Sequence, residues 1–200
     1  MNIENTKKLL VDWLDCILRN IYDYQVVASV IPSNEITQKG RLRRIAEIQA
    51  GRSAIIEATT NLGVSITERF ENSGGRPYWP PGIIGSLSHS GDIVIVLVMR
   101  CSTQTIAVGL DIENAIHATN YYPILEDKKK LQQYCLYEAY YKALSYLPGN
   151  ERLAYNASSL EDILNKDIFD SPIGTRIQIA KTEKVNSFSV AVVVLGQEYS

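Results

Sequence analysis

Cysteine and histidine are scarce in this sequence of 200 residues, which has three of the first and two of the second. Cys16, Cys101 and Cys135 are odd in number, lie far apart and form no CxxC pair. Neither a disulfide framework nor a thiolate zinc site is therefore expected. We predict instead that the three thiols are small buried hydrophobic side chains.

An excess of positive charge is also missing. The 20 Lys and Arg residues face 22 Asp and Glu residues, so the formal net charge is −2 although Arg41, Arg43 and Arg44 cluster. Proteins that bind nucleic acid usually carry a strong basic excess, so nucleic acid is not an expected partner. The hydrophobic content of 46% is ordinary for a globular protein and sufficient for a core.

A long uncharged hydrophobic run is absent from the N-terminal region. Residues 1–20, MNIENTKKLLVDWLDCILRN, mix charged with apolar side chains. Such a segment resembles neither a signal peptide nor a membrane span. We therefore expect a cytoplasmic protein with no membrane partner.

Hydrophobic periodicity predicts helices that alternate with antiparallel strands. The predicted helices cover residues 5–19, 37–62, 124–146 and 159–165, and the predicted strands cover residues 24–31, 86–89, 93–99, 106–113, 175–181 and 188–195. Gly63 is placed to end the second helix, and the last strand is apolar enough to be central. Because the second half resembles a shorter copy of the first, we predict an α+β, pseudo-duplicated fold divided into residues 1–105 and 106–200.

Two carboxylates end the apolar segment IAVGLDIE. Asp111 and Glu113 are two residues apart, so on a strand their side chains project from the same face. Like charges at that separation repel each other unless a cation lies between them. Hard oxygen ligands favour Mg²⁺, with Mn²⁺ as an alternative. Taken alone, this spacing fits a solvated strand end at least as well.

A second charged pair lies in YCLYEAYYKAL, where Glu138 and Lys142 are four residues apart and share one face of a predicted helix. One interpretation is a routine surface ion pair. The other is a metal ligand or general base in Glu138 and a phosphate-binding cation in Lys142. The pair alone does not decide between them.

The segment GRPYWPPGIIGSLSHS, residues 75–90, predicts a stiff loop because it combines three prolines, three glycines and adjacent Tyr and Trp. Ser88 and His89 are neighbours on a predicted strand and point to opposite faces, which argues against a Ser-His nucleophile pair. His89 is either a donor to a phosphate or a buried histidine. Arg52 and Arg76 offer planar donor forks suited to phosphate, although most arginines are simply solvated.

Four segments in this order resemble the 4′-phosphopantetheinyl transferases of the surfactin and enterobactin types, with the closer likeness to the enterobactin synthase component D branch. They are RRIAEIQAGRSAIIEA from residue 43, GRPYWPPGIIGSLSHS from residue 75, VGLDIE from residue 108 and YEAYYKA from residue 137. Each motif is short, but four in the right order make chance an insufficient explanation. The resemblance implies two similar halves, each with a small antiparallel sheet packed on helices, and an active site in the cleft between them.

The resemblance also implies a reaction and the residues that carry it out. Enzymes of this family transfer 4′-phosphopantetheine from coenzyme A to a serine of an apo acyl or peptidyl carrier protein and release adenosine 3′,5′-bisphosphate. By resemblance, Asp111, Glu113 and Glu138 hold Mg²⁺, Arg52, Arg76, Ser88 and His89 contact the nucleotide and phosphate part of coenzyme A, and Lys142 faces the pyrophosphate. Glu138 or a metal-bound water takes the proton of the attacking serine.

The length of the chain indicates the monomeric, pseudo-duplicated type of transferase, which serves secondary metabolism and siderophore or polyketide assembly. Carrier proteins are generally acidic. Arg41, Arg43 and Arg44 are therefore predicted docking charges, with Lys128–Lys130 in addition. The alternative for these residues is a solvated basic face.

Two positions depart from the family pattern. Tyr137 stands where a Lys usually precedes the helix glutamate, and Ile56 stands where a second arginine usually follows the first. The stretch from residue 113 to residue 138 is also shorter than usual. These departures favour an alternative, a degenerate coenzyme A-binding protein with weak or no transferase activity. A metal-dependent phosphohydrolase is a third hypothesis, supported only by the carboxylates.

Overall fold

The structure is a computed structural model that describes residues 2–31, 40–66, 77–102, 104–147 and 175–198. Arg76 and the helix predicted over residues 159–165 lie outside these described residues. The chain divides into two compact units, unit 1 at Met1–Arg100 and unit 2 at Cys101–Ser200. The assignment of nucleotide binding to the first half and of catalysis to the second stays a prediction.

Unit 1 begins with an amphipathic helix, α1 at Ile3–Leu18. The Asn2 side chain caps α1 by accepting a backbone N–H of the first turn at 3.0 Å. Leu10, Leu14 and Leu18 recur every four residues and are fully buried. One stripe of α1 therefore faces the core of unit 1, where the helix packs on the first strand.

A three-stranded antiparallel sheet and a second helix complete unit 1. The strands are β1 at Tyr24–Val30, β2 at Ile83–Ser90 and β3 at Ile93–Arg100, in the order β1-β3-β2. The central strand β3 reads IVIVLVMR, and all of it except the final arginine is buried. The helix α2 at Arg41–Asn61 packs on β1 and β3.

The end of α2 confirms the predicted stop at Gly63. This residue has φ +77°, a left-handed conformation that glycine adopts without steric cost. Its backbone N–H donates to the carbonyl of Thr60 at 2.9 Å, which satisfies one of the carbonyl groups left open at a helix end.

Unit 2 contains a second three-stranded antiparallel sheet. Its described elements are β4 at Ala107–Asn114, α3 at Ala115–Tyr121, a 3₁₀ turn at Pro123–Glu126, α4 at Lys128–Leu144, β5 at Thr175–Val185 and β6 at Phe188–Gln197. The strand order is β4-β6-β5, so the last strand is central, as predicted. The helix α4 packs on all three strands.

The two units share one chain topology. In each unit the first strand leads through helical structure to an antiparallel pair, and the last strand of that pair lies at the centre of the sheet. Two small antiparallel sheets packed on helices give the α+β, duplicated architecture that the sequence predicts. Among the described helices, none combines the length and the apolar character needed to cross a membrane.

The predicted burial of all three cysteines is wrong for two of them. Cys135 is buried, but Cys16 and Cys101 are exposed. Cys16 lies on α1 outside the stripe of buried leucines, and Cys101 directly follows the end of β3. Cys16 is exposed because of the helix face on which it lies, and Cys101 is exposed because it follows the end of a strand. The residue type alone does not predict either position.

Candidate functional site

A close approach between β4 and α4 positions the acidic residues of unit 2. Gly109, Asp111 and Glu113 are alternate residues of β4 and share one face. A Cβ atom at Gly109 would collide with the carbonyl oxygen of Ala139 and lie 2.7 Å from the backbone nitrogen of Ala143. Only glycine permits this approach, which brings the two carboxylates beside α4.

Asp111 forms a short ion pair with Lys142 of α4. The Lys142 Nζ lies 2.6 Å from Asp111 Oδ1 and also donates to the carbonyl of Leu110 at 3.2 Å. The Asp111 side chain is only 4% exposed and that of Lys142 is 30% exposed. Asp111 is therefore a buried group held by a cation, which excludes the alternative of a solvated strand end for this residue.

The charges around Lys142 are mostly negative. Burial alone would lower the pKa of Lys142, but the ion pair and hydrogen bond with Asp111 outweigh it, and Glu138 adds to the rise. The pKa of Lys142 is therefore raised, so the ammonium stays charged throughout the physiological range. Glu138 and Asp111 both raise the pKa of the same ammonium group. Lys142 is therefore part of a larger charged group than the predicted surface ion pair with Glu138.

Cys135 lies beside these charged residues, a position that the sequence reasoning missed. Its thiol is buried and donates to the carbonyl of Ser189 at 3.4 Å. Burial raises the pKa of Cys135 well above its ordinary value, and the nearby carboxylates of Asp111 and Glu113 raise it further. Cys135 and Glu138 are three residues apart and therefore lie on neighbouring turns of α4. This spacing is the sequence signal that could have placed Cys135 near Glu138.

We name Asp111, Glu113, Glu138 and Lys142 the acidic cluster. Carboxylate oxygens are the donors that Mg²⁺ prefers, so these residue types fit the predicted ion. However, the described ranges contain no group of three or more His, Cys, Asp or Glu side chains arranged to hold a metal ion. The cation on Asp111 in this structure is the ammonium group of Lys142.

The two positions that depart from the family pattern have different surroundings. Tyr137 is buried, and its ring centroid lies 4.4 Å from that of Tyr141. Burial, a hydrogen bond with Tyr141 and the charge of Glu138 all raise the pKa of Tyr137. Ile56 is exposed on α2. Tyr137 is thus a packed core residue, which a lysine at this position would not be.

Unit 1 contains a second polar cluster, formed by α2 and β2. Arg43 Nε lies 3.1 Å from Glu47 Oε1, and Arg44 Nη1 lies 3.4 Å from Glu47 Oε2. His89 Nε2 lies 3.8 Å from the same Oε2 and 3.2 Å from Arg44 Nη1. We name Arg43, Arg44, Glu47 and His89 the basic cluster.

The basic cluster differs from the predicted set of phosphate ligands. Ser88 is buried and, as the neighbour of His89 on β2, lies on the opposite face. Arg52 is exposed on α2, and none of the described contacts joins it to the cluster. Sequence reasoning missed Glu47, although its spacing of three and four residues from the two arginines was visible.

Comparison with known proteins finds matches in one family. Residues 33–99 match the model of the 4′-phosphopantetheinyl transferase N-terminal domain, and this range contains the whole basic cluster. Enterobactin synthase component D of Salmonella typhi is 29% identical over 105 residues, which cover 51% of this chain and 42% of that protein. The predicted resemblance to the 4′-phosphopantetheinyl transferase superfamily is thereby confirmed.

The likeness extends to a second relative of the same name. Enterobactin synthase component D of Salmonella typhimurium is 28% identical over 105 residues, again 51% of this chain and 42% of the relative. The matched region thus spans well under half the length of these curated relatives. Within the superfamily, both matches point to the component D branch.

Proposed function

We propose that this protein transfers 4′-phosphopantetheine from coenzyme A to a serine of an apo acyl or peptidyl carrier protein. The observation that carries the proposal is the ion pair between Asp111 and Lys142, whose ammonium group also experiences the charge of Glu138. Phosphoryl transfer needs positive charge at the phosphates and a proton acceptor at the nucleophile, and these residues can supply both. The match to the 4′-phosphopantetheinyl transferase family supports coenzyme A as the donor substrate.

In this proposal Asp111, Glu113 and Glu138 hold Mg²⁺, with Mn²⁺ as an alternative. A bound divalent ion would supply positive charge to the pyrophosphate of coenzyme A. Lys142 neutralises Asp111 in this structure. In the complex with coenzyme A its ammonium group would bind the pyrophosphate, the role that the family resemblance implies.

The chain's own residues then carry the proton and orient the phosphates. The hydroxyl oxygen of the carrier serine forms a bond to the β-phosphorus, and the bond to the bridging oxygen breaks. Glu138 accepts the hydroxyl proton, while Lys142 stabilises the charge that develops on the departing phosphate. Adenosine 3′,5′-bisphosphate leaves with the bonding electron pair, so atoms and charge balance.

Residues of unit 1 would bind the nucleotide and phosphate part of coenzyme A in the same proposal. His89 is partly exposed beside Arg44, which supports a role for it as a phosphate ligand. Arg52, Arg76 and Ser88 keep their proposed roles on the strength of the resemblance. The active-site cleft between the two halves stays a prediction from the family resemblance.

Fewer of the predicted basic residues are proposed to contact the acidic carrier protein. Arg43 and Arg44 are engaged by Glu47, so we propose that Arg41 and the lysines of Lys128–Lys130 contribute more. Charge reversal at Arg41 should weaken carrier binding and its salt dependence. Unchanged affinity in Arg41→Glu would remove this part of the proposal. We also propose a monomer in the cytoplasm, and light scattering would test the monomer.

A second candidate function is coenzyme A binding with weak or no transfer. Burial of Tyr137 against Tyr141 favours this candidate, because an ordinary family member has a cation at that position. The two candidates agree on ligand binding and differ only in turnover.

Intact-mass measurement of apo carrier proteins tests the proposal. The protein is incubated with coenzyme A, Mg²⁺ and a panel of carriers from siderophore, polyketide and fatty-acid assembly. We expect a mass gain of one phosphopantetheine group that is lost with chelator and in Glu138→Ala. Glu183→Ala, on the exposed part of β5, is the matched control and should keep activity. Coenzyme A binding without a mass gain would favour the second candidate, and Tyr137→Lys would then be tested for rescue.

A further inference from the structure

Glu47 lies at the centre of the basic cluster, and the reaction proposed above gives it no role. Its side chain is only 11% exposed, whereas Arg44 is 59% exposed and His89 is 32% exposed. The groups around Glu47 are therefore open to solvent while the carboxylate is not. Such an arrangement suits a carboxylate that acts through its neighbours.

The three partners of Glu47 do not have equal freedom. Arg43 also donates to the carbonyl of Gly91 at 2.8 Å, which fixes it between α2 and the turn after β2. Within the described residues, the Arg44 side chain contacts Glu47 and His89 and has no comparable second anchor. With Glu47 negative and both arginines positive, the cluster has a net positive charge, which favours an anionic ligand.

The contact between Arg44 and His89 defines the proton positions. A guanidinium group has only donors, so at 3.2 Å Arg44 must donate to His89 Nε2. Since Nε2 accepts in this contact, we infer that the ring proton lies on Nδ1. An anion that attracts Arg44 would release Nε2, which would then take up a proton from solvent, and the carboxylate of Glu47 at 3.8 Å would stabilise the resulting imidazolium. Both groups would then donate to the same anion.

We propose that Glu47 is a positioning residue that holds Arg44 beside His89 so that both can bind a phosphate group of the nucleotide part of coenzyme A. The inference rests on the proposed function for the identity of the ligand. Glu47 itself does not contact the phosphate, since a carboxylate would repel it. Arg44, which the sequence predicts to bind the carrier protein, is thereby proposed to bind the nucleotide part of coenzyme A instead.

Neutralising Glu47 separates this role from a general effect of charge. Glu47→Gln raises the net positive charge of the cluster by one, so electrostatic attraction alone predicts tighter binding of an anion. A positioning role predicts weaker binding, because Arg44 and His89 lose the carboxylate that aligns them. The matched control is Glu57→Gln, which makes the same charge change at an exposed residue of α2.

Calorimetric titration of adenosine 3′,5′-bisphosphate into the wild type, Glu47→Gln and Glu57→Gln is the test. We expect binding to Glu47→Gln to be about tenfold weaker, the loss of roughly one charged hydrogen bond. Glu57→Gln should bind as the wild type does. Adenosine, which lacks phosphate, should bind all three proteins equally. In the wild type, ring ¹⁵N shifts of His89 should report the Nδ1–H tautomer, and this preference should be lost in Glu47→Gln.

Equal or tighter binding of the bisphosphate by Glu47→Gln would overturn the inference and leave the proposed function intact. Equal weakening of adenosine and bisphosphate would assign Glu47 a purely structural role and would overturn it as well. If Glu47→Gln fails to fold, Glu47→Asp keeps the charge with a shorter reach and should also weaken bisphosphate binding. Absence of bisphosphate binding by the wild type would count against both proposals.

Discussion

Unit 1 and unit 2 have the same strand order and opposite polar clusters. In unit 1 two arginines and His89 surround one carboxylate, Glu47. In unit 2 carboxylates act on one ammonium group, that of Lys142. Both clusters join a helix to a neighbouring strand, α2 to β2 and α4 to β4. The same strand order thus carries two clusters of opposite charge, and a few side chains on the helices decide which charge prevails.

The units also differ in how closely helix and sheet approach. In unit 1 a Cβ added at Gly51 of α2 would lie 2.8 Å from Leu87 Cδ1, the end of a flexible side chain. In unit 2 the atoms facing Gly109 belong to the backbone of α4. A side chain can move aside and a helix backbone cannot, so the acidic cluster depends on a far more rigid contact.

The largest effect that we expect distinguishes these two glycines. Gly109→Ala should destabilise the protein by about 3 kcal/mol or more, since the new methyl group overlaps the backbone of α4. Gly51→Ala should be close to neutral, because a helix gains roughly 1 kcal/mol when glycine becomes alanine and Leu87 can shift. Urea unfolding of both variants measures the difference. Equal losses in the free energy of unfolding would show that the close approach of β4 and α4 constrains Gly109 no more than the packing of α2 constrains Gly51.

Removal of the Lys142 charge should have the next largest effect. Lys142→Met leaves the buried Asp111 carboxylate without this ammonium group, which should destabilise the protein by about 3 kcal/mol. If the acidic cluster binds Mg²⁺, millimolar Mg²⁺ should raise the melting temperature of Lys142→Met more than that of the wild type. The control is Lys181→Met, at an exposed position of β5. A melting temperature that Mg²⁺ leaves unchanged in Lys142→Met would contradict the proposed metal site.

The smallest effect concerns a polar contact in unit 1 that lies outside both clusters. The Tyr24 hydroxyl donates to Asp15 Oδ1 at 2.7 Å, and burial followed by this bond raises the pKa of Tyr24 to about 12. A raised folded-state pKa stabilises the protein below pH 10 and loses that effect as the pH rises toward 12. Tyr24→Phe should therefore cost about 1 kcal/mol at pH 7 and progressively less above pH 10. Unfolding at several pH values tests this, and a constant difference would exclude the contact as its cause.

The sequence was sufficient for most of the described fold because hydrophobic periodicity reports burial directly. The all-apolar β3 and β6 are central strands, and Gly63 ends α2. Boundaries were less exact: β2 begins at Ile83 within the segment expected to be loop. Because that segment is rich in Pro and Gly, which favour loops, its composition did not predict that the strand begins there.

The candidate site was predictable only in its residue types. Asp111 and Lys142 are 31 residues apart, and their contact depends on the close approach at Gly109, which no local spacing reports. The pairing that the sequence did show, Glu138 with Lys142, is a minor part of the field at that ammonium group. Contact between Arg44 and His89 likewise depends on the packing of α2 beside β2. Local spacing would have been enough to predict only the ion pairs of Glu47 with Arg43 and Arg44.

Calorimetric titration of coenzyme A, with and without Mg²⁺, into the wild type, Asp111→Asn and Arg44→Ala tests most directly whether the two clusters serve one ligand. We predict that Mg²⁺ tightens binding in the wild type and in Arg44→Ala but not in Asp111→Asn. Arg44→Ala should bind more weakly than the wild type under both conditions. A full Mg²⁺ effect in Asp111→Asn would contradict the proposed metal site, and wild-type affinity in Arg44→Ala would contradict the proposed phosphate site.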